Sequence, residues 1–219
     1  MGEFHTHFIF IVEMIGTVAF AASGAMIAIR KSLDLFGIIM LGTITAVGGG
    51  IIRDAIIGQV PPNTFVNPVY IVTAILTSSV LFLIFYLRPE LDGSQRIETY
   101  EKILNLFDAV GLGAFTVLGS SAGIEAGYAR YTFLLIFLGV TTGIGGGILR
   151  DIMAGEIPYV LKKQIYACAS LAGAILYILL LRSNISNNTA MLSSALFIVL
   201  IRMLASRFDW NLPVVKRKS

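Results

Sequence analysis

Two short phrases in this chain combine residue types that could handle cations. The first is Gly48-Gly49-Gly50-Ile51-Ile52-Arg53-Asp54; from position 48 to position 145, a shift of 97 residues, it returns as Gly145-Gly146-Gly147-Ile148-Leu149-Arg150-Asp151. Three consecutive glycines weaken an α-helix by roughly 3 kcal/mol, at about 1 kcal/mol each against alanine. A helix that bends or breaks there frees backbone carbonyls, and carbonyl oxygens can replace part of a cation's water shell. Thr45 and Thr142 stand one turn before the glycines, where their hydroxyls could add neutral oxygen ligands. Asp54 and Asp151 would raise the local cation concentration. Arg53 and Arg150 would repel a permeant cation, so latching or gating suits them better than coordination. Neighbouring residues on a helix point in different directions, so each arginine is expected to find its partner on another element.

Both phrases lie in stretches apolar enough to cross a bilayer. The 219 residues are 56% apolar and 13% charged, with mean hydropathy +0.84, whereas a soluble domain carries about 25% charge. The chain therefore reads as an integral membrane protein. A helical span needs about 20 apolar residues, and seven stretches qualify: 8–29, 33–57, 68–87, 104–124, 131–154, 164–181 and 189–205. The first does not read as a cleaved signal peptide: Glu3 rather than a basic residue precedes it, and the apolar run is longer than such a leader is expected to carry. The longest connection is the charged stretch 88–102.

Basic residues orient the spans. With the N-terminus outside, the cytoplasmic face receives Arg30, Lys31, Arg88, Arg96, Lys102, Lys162, Lys163, Arg202, Arg207, Lys216, Arg217 and Lys218, and the outer face only Arg130 and Arg182. N-out and C-in follows, with Trp210 in the headgroup zone just past the last span. This topology explains the pI near 9.1 without a nucleic-acid partner. Lys162-Lys163 and the basic tail could also touch anionic membrane lipid.

The 97-residue shift aligns more than the phrase. Gly16 falls on Gly113, Ala25 on Ala122, Phe36 on Phe133, Leu41-Gly42 on Leu138-Gly139, Thr45 on Thr142, Gly58 on Gly155 and Pro61 on Pro158. The chain is thus one membrane domain built from two three-span repeats, 8–87 and 104–181, with an unpaired seventh helix at 189–205. An odd number of spans per repeat inverts the second copy, a construction common among transporters.

Other polar residues within the spans are Glu13, Ser23, Asp108, Ser120 and Ser121. Glu13 and Asp108 stand near span ends, where each could face a pore or only reach the interface. For the glycines the plainer alternative is close helix packing, and for the Arg-Asp pairs a packed ion pair that fixes the local backbone. His5 and His7 are too few for a metal site, which needs more ligands. The single cysteine, Cys168, can form no intrachain disulfide. No nucleophile elbow or phosphate loop is present, so neither catalysis nor a cofactor is implied. The glycine triplets follow apolar helix rather than a strand, unlike nucleotide loops.

The seven spans, the three-plus-three repeat and the paired Gly-Gly-Gly-x-x-Arg-Asp phrase resemble the prokaryotic branch of the trimeric intracellular cation (TRIC) channel family. The resemblance covers nearly the whole chain. It implies a homotrimer with one pore per protomer, permeable to potassium and tolerant of sodium, in a prokaryotic plasma (inner) membrane. It also implies that the second and fifth spans kink at Gly48–Gly50 and Gly145–Gly147 to line that pore. Animal members carry a Lys-Glu-Val phrase near the first kink, associated with phosphoinositide lipid. Here the stretch reads Gly-Ile-Ile-Arg-Asp, so inositol-lipid binding, calcium regulation and calcium-store localisation are not carried over. The same prokaryotic domain has been called a glycine transporter, which makes an alternating-access carrier for a small solute the alternative. The sparse polar inventory of the second and fifth spans favours weak, multi-site ion contacts over an organic substrate pocket.

Overall fold

Polar side chains at the turns start the helices that the apolar runs then continue. Asp34 Oδ1 accepts from Gly37 N–H at 2.7 Å and starts the second long helix, satisfying one of the donors a helix N-terminus leaves open. Ser186 Oγ does the same for the last, from Thr189 N–H at 3.4 Å. The computed structural model describes residues 2–88, 97–162, 165–208 and 210. The elements are α1 (Gly2–Arg30), α2 (Leu35–Ile57), the short α3 (Asn63–Val66), α4 (Val69–Leu87), α5 (Ile97–Gly123), α6 (Thr132–Met153), the short α7 (Tyr159–Lys162), α8 (Ile165–Arg182) and α9 (Asn187–Arg207). A π-helical turn, Ile124–Tyr128, follows α5.

Seven of these helices are long and apolar enough to cross a membrane, and they are the seven spans read from hydropathy. The largest boundary differences are at α1, which begins six residues earlier than 8, and at α5, which begins seven earlier than 104. Both extensions are polar helix that an apolar window does not detect. Arg96, Lys163, Gln164, Lys216, Arg217 and Lys218, and the side chain of Glu3, lie outside the described residues.

At the centre α1, α2, α5 and α6 pack on one another. α4 packs against α1 and α2, and α8 packs in the same manner against α5 and α6. α9 leans on α5 and α8. The two groups of three helices therefore repeat one packing scheme, with α9 added to the second. Outside this core, α4 presents Val72, Leu76, Val80 and Leu83 away from the chain, a lipid- or neighbour-facing surface.

The chain turns back after α2 and after α6 by one device used twice. Gly58 (φ 77°) and Gly155 (φ 70°) take the left-handed conformation that an L side chain rarely adopts. Just beyond each, Gln59 N–H donates to Asp54 C=O at 2.8 Å and Glu156 N–H to Asp151 C=O at 2.9 Å.

The glycine triplets correct the expectation of a break. α2 runs without interruption from Leu35 to Ile57 and α6 from Thr132 to Met153, so the triplets lie inside continuous helix. A Cβ on Gly49 would fall within the Thr142 carbonyl, and one on Gly146 within the Thr45 carbonyl. A Cβ on Gly145 would stand 3.3 Å from Gly49 Cα, and one on Gly48 2.6 Å from Leu149 Cδ1. The glycines let two helix backbones touch where they cross. The physical reason is that a broken helix in hydrocarbon leaves backbone polar groups unsatisfied, at several kcal/mol each. That exceeds the roughly 3 kcal/mol propensity loss of three glycines.

Candidate ion pathway

The α2–α6 crossing separates two polar cavities. One, of about 360 Å³, lies where the C-terminal ends of α1, α6 and α9 meet the start of α5, and contains Asp108, Arg150, Asp151 and Arg202 in its wall. The other, of about 330 Å³, lies at the C-terminal end of α2 and the far end of α5, and is lined by Glu13, Arg53 and Glu125. A small cleft of about 20 Å³ extends this second space toward Gly50, Val47 and Phe115. Phe20 stands beside the crossing with its ring centroid 5.2 Å from that of Phe115.

Each cavity is built round an arginine of the repeated phrase. Arg53 Nε donates to Asp54 Oδ1 at 2.8 Å, and Arg150 Nε to Asp151 Oδ1 at 2.8 Å. This corrects the expectation that adjacent residues on the helix would not pair: the guanidinium is long enough to fold back onto its neighbour. The other carboxylate oxygens reach beyond the helix. Asp54 Oδ2 accepts from Asn63 N–H at 2.8 Å and Asp151 Oδ2 from Tyr159 N–H at 2.6 Å. Each Arg-Asp pair thus ties its span to the first residue of the short helix after the turn, α3 or α7.

Beyond the motif the two sides share a carboxylate and a tyrosine. In the first cavity Arg150 Nη1 donates to Asp108 Oδ1 of α5 at 2.6 Å and also to Ser23 Oγ of α1. Tyr166 of α8 is buried beside them. In the second, Glu13 of α1 accepts from the Tyr70 hydroxyl of α4 and lines the same space as Arg53. The sides differ in what α9 adds. Arg202, from α9, enters only the first cavity: its guanidinium carbon lies 4.6 Å from the Tyr166 ring centroid and 5.4 Å from that of Tyr159. Its Nη2 is 4.0 Å from Asp108 Oδ2, and its Nε has no hydrogen-bond partner.

Outside the spans, Glu156 closes the rim of the first cavity. It meets Lys31 Nζ at 2.9 Å and Arg30 Nη2 at 3.2 Å. The hydrogen bond from Lys31, aided by the Arg30 charge, holds the Glu156 carboxyl below the usual carboxylate range.

The residues expected to form the site divide accordingly. Arg53, Arg150, Asp151 and Gly50 reach cavity walls. Gly48, Gly49, Gly145 and Gly146 form the crossing between them, and Gly147 faces the Tyr166 hydroxyl, 3.2 Å from where its Cβ would be. Thr45 and Thr142 do not offer free hydroxyls. Each is 0% exposed and donates back along its own helix, Thr45 to Leu41 C=O at 2.6 Å and Thr142 to Leu138 C=O at 2.5 Å. They pack against Gly24 and Gly119 instead. Asp54 is 0% exposed beneath Arg53, so the acidic groups facing the second cavity are Glu13 and Glu125.

Sequence alone leaves Glu13 and Asp108 between a pore and the interface; both line cavities, with Tyr70 and Tyr166, which the sequence did not single out, beside them. The signal available was polarity inside an apolar span. The charge count assigns Arg202 to the cytoplasmic face; at 3% exposed it is a buried wall residue of the first cavity. The short polar loops gave no warning of the caps at Asn63 and Tyr159. Among the described residues no group of His, Cys, Asp and Glu is arranged to hold a metal ion.

Comparison with known proteins gives this geometry a family. The family described as glycine transporter matches in two segments, 10–86 and 105–182, which coincide closely with the two repeats. A UPF0126 membrane protein of Deinococcus radiodurans is 37% identical over 205 residues, 93% of this chain and 90% of that one. The Escherichia coli inner membrane protein YadS is 34% identical, over 92% and 93% of the two chains. The solved structure of the TRIC trimeric intracellular cation channel orthologue from Rhodobacter sphaeroides matches with TM-score 0.82 and 29% identity, over 92% of this chain and 98% of that one. The chain belongs to the prokaryotic TRIC family. Its membership and its seven apolar helices make it a multi-pass protein of the plasma membrane.

Proposed function

We propose that this TRIC-family protein is a cation channel, each protomer of a homotrimer carrying its own path for potassium, with sodium tolerated. The observation that carries the reading is the pair of polar cavities, about 360 and 330 Å³, one built on Arg150 and the other on Arg53, each about one turn beyond a glycine triplet on its own helix. The relative from Rhodobacter sphaeroides, a trimeric intracellular cation channel, supports it. The path runs from one cavity to the other past Gly48–Gly50 and Gly145–Gly147. The backbone contact of α2 with α6, backed by Phe20, represents the shut state. Opening requires the two helices to part, and Arg150 opposes this by holding α6 to Asp108 on α5 and Ser23 on α1. Arg150 is therefore the latch, and Arg53, between Asp54 and Glu13, is its counterpart at the other end. With the N-terminus outside, the Arg150 cavity faces the cytoplasm.

Single-channel recording of the purified protein in planar bilayers, with asymmetric potassium chloride, tests this. Discrete steps reversing near the potassium potential are expected. A silent bilayer, with saturable glycine uptake in matched liposomes, would make the protein a carrier and the crossing its hinge.

A further inference from the structure

The duplicated core gives each mouth of the path an arginine, a tyrosine and a carboxylate. α9 lies outside the duplication and contributes a charge to one mouth only. The Arg202 side chain is 3% exposed, rests on the faces of Tyr166 and Tyr159, and leaves its Nε without a hydrogen-bond partner. It shares Asp108 with Arg150 but stands farther off, 4.0 Å against 2.6 Å. With it, the first cavity has four basic wall residues, Arg30, Arg150, Lys162 and Arg202, against four acidic ones. The second has Glu13 and Glu125 against Arg53 alone, with His5 4.0 Å from Glu125. With Lys31 also paired to Glu156 at its rim, the first mouth carries no excess of negative charge, and by its wall residues the second does.

We propose that Arg202 makes conduction directional: it cancels the negative charge of the mouth it lines, so cations pass more readily from the Glu13–Glu125 cavity toward the Arg202 cavity than in reverse. The inference rests on the conduction reading above. A negative mouth concentrates cations before entry and a neutral one does not. A unit charge about 8 Å from the path changes local cation concentration about 1.5-fold at 0.1 M salt, and the effect nearly vanishes at 1 M, where the screening length is about 3 Å. Arg202 is suited to this role because two ring faces hold the guanidinium in place while leaving its charge only loosely paired.

The experiment is the current through single channels in symmetric potassium chloride at equal and opposite voltages. The larger current divided by the smaller does not depend on which way a channel inserted. At 0.1 M the wild type is expected to give a ratio of about 1.5 or more. Arg202→Gln should bring it toward one, and Arg202→Lys should keep it. Glu125→Gln, which weakens the negative mouth, should also lower it. Should Arg202→Gln fail to fold, the wild-type ratio at 1 M decides: a ratio caused by charge collapses there, whereas a persisting one overturns the proposal. A wild-type ratio of one at 0.1 M, or an unchanged ratio in Arg202→Gln, also overturns it. Absence of cation current in both directions would instead sink the conduction reading.

Discussion

Asp108→Asn tests whether Arg150 is a latch or only a fixture of the fold. Asp108 Oδ1 accepts from Arg150 Nη1 at 2.6 Å across the α5–α6 contact. Asparagine keeps the shape and one carbonyl oxygen but removes the charge. A hydrogen bond to a charged partner contributes about 1.5–3 kcal/mol. Arg150 would retain Asp151 at 2.8 Å, so the loss should fall short of the roughly 3–5 kcal/mol that follows when a buried charge loses its partner outright. For a contact present only in the shut state, a loss of about 2 kcal/mol raises the open-to-shut ratio about 30-fold, since 1.4 kcal/mol is a factor of ten. The assay is open probability in planar bilayers at fixed voltage and salt, with thermal unfolding measured in detergent alongside. An unchanged open probability together with lowered thermal stability would mean that both states keep the contact, and the latch would be refuted.

Three further perturbations separate the roles assigned above. Gly49→Ala drives a methyl into the Thr142 carbonyl, while at Gly50 the nearest atom to a new Cβ, beyond its own helix backbone, is Arg53 Nη2 at 3.9 Å. Thermal unfolding should show Gly49→Ala destabilised by about 1–3 kcal/mol and Gly50→Ala neutral or improved by up to about 1 kcal/mol; equal behaviour would remove the crossing as the reason for the triplet. Asp54→Asn should lower thermal stability and reduce conductance by a similar factor at low and high salt, because the carboxylate is buried on Arg53 and Asn63; a loss concentrated at low salt would restore an ion-attracting role. For Glu156 the folded carboxyl titrates below its unfolded value of about 4.3, so its contribution is present above that pH and is lost as pH falls through the folded value. The unfolding temperatures of wild type and Glu156→Gln should therefore differ at pH 7 and converge once acid has protonated the folded carboxyl; a gap that survives acid would point to packing rather than to Lys31 and Arg30.

Much of the fold was legible because its causes are local or repetitive. Hydropathy located the seven helices, since a bilayer accepts little else than a closed helix of that length. The shift that aligns Gly42 with Gly139 and Gly58 with Gly155 revealed the duplication, and the family match falls on the same two segments. The Arg-Asp phrase stood out because charge is costly in an apolar span. Its purpose was less legible: whether Arg53 folds back onto Asp54, and which turn Asp54 then caps, depends on a contact with Asn63 that no spacing rule specifies.

The sequence by itself determined that the chain lies in a membrane, that it crosses seven times, and that two halves share one plan. Composition and periodicity suffice for these, because they follow from transfer of apolar surface out of water and from backbone hydrogen bonding. Only the tertiary structure decided what the glycines do. Helix propensity alone predicts a break, whereas the approach of Gly49 to the Thr142 carbonyl and of Gly146 to the Thr45 carbonyl makes the triplets a site of contact. It likewise turned the Thr45 and Thr142 hydroxyls back onto their own helices and brought Arg202 beside Asp108 from a helix outside the repeat. Each of these outcomes depends on which face of one helix meets another, and that is set by the packing of α1, α2, α5 and α6 together.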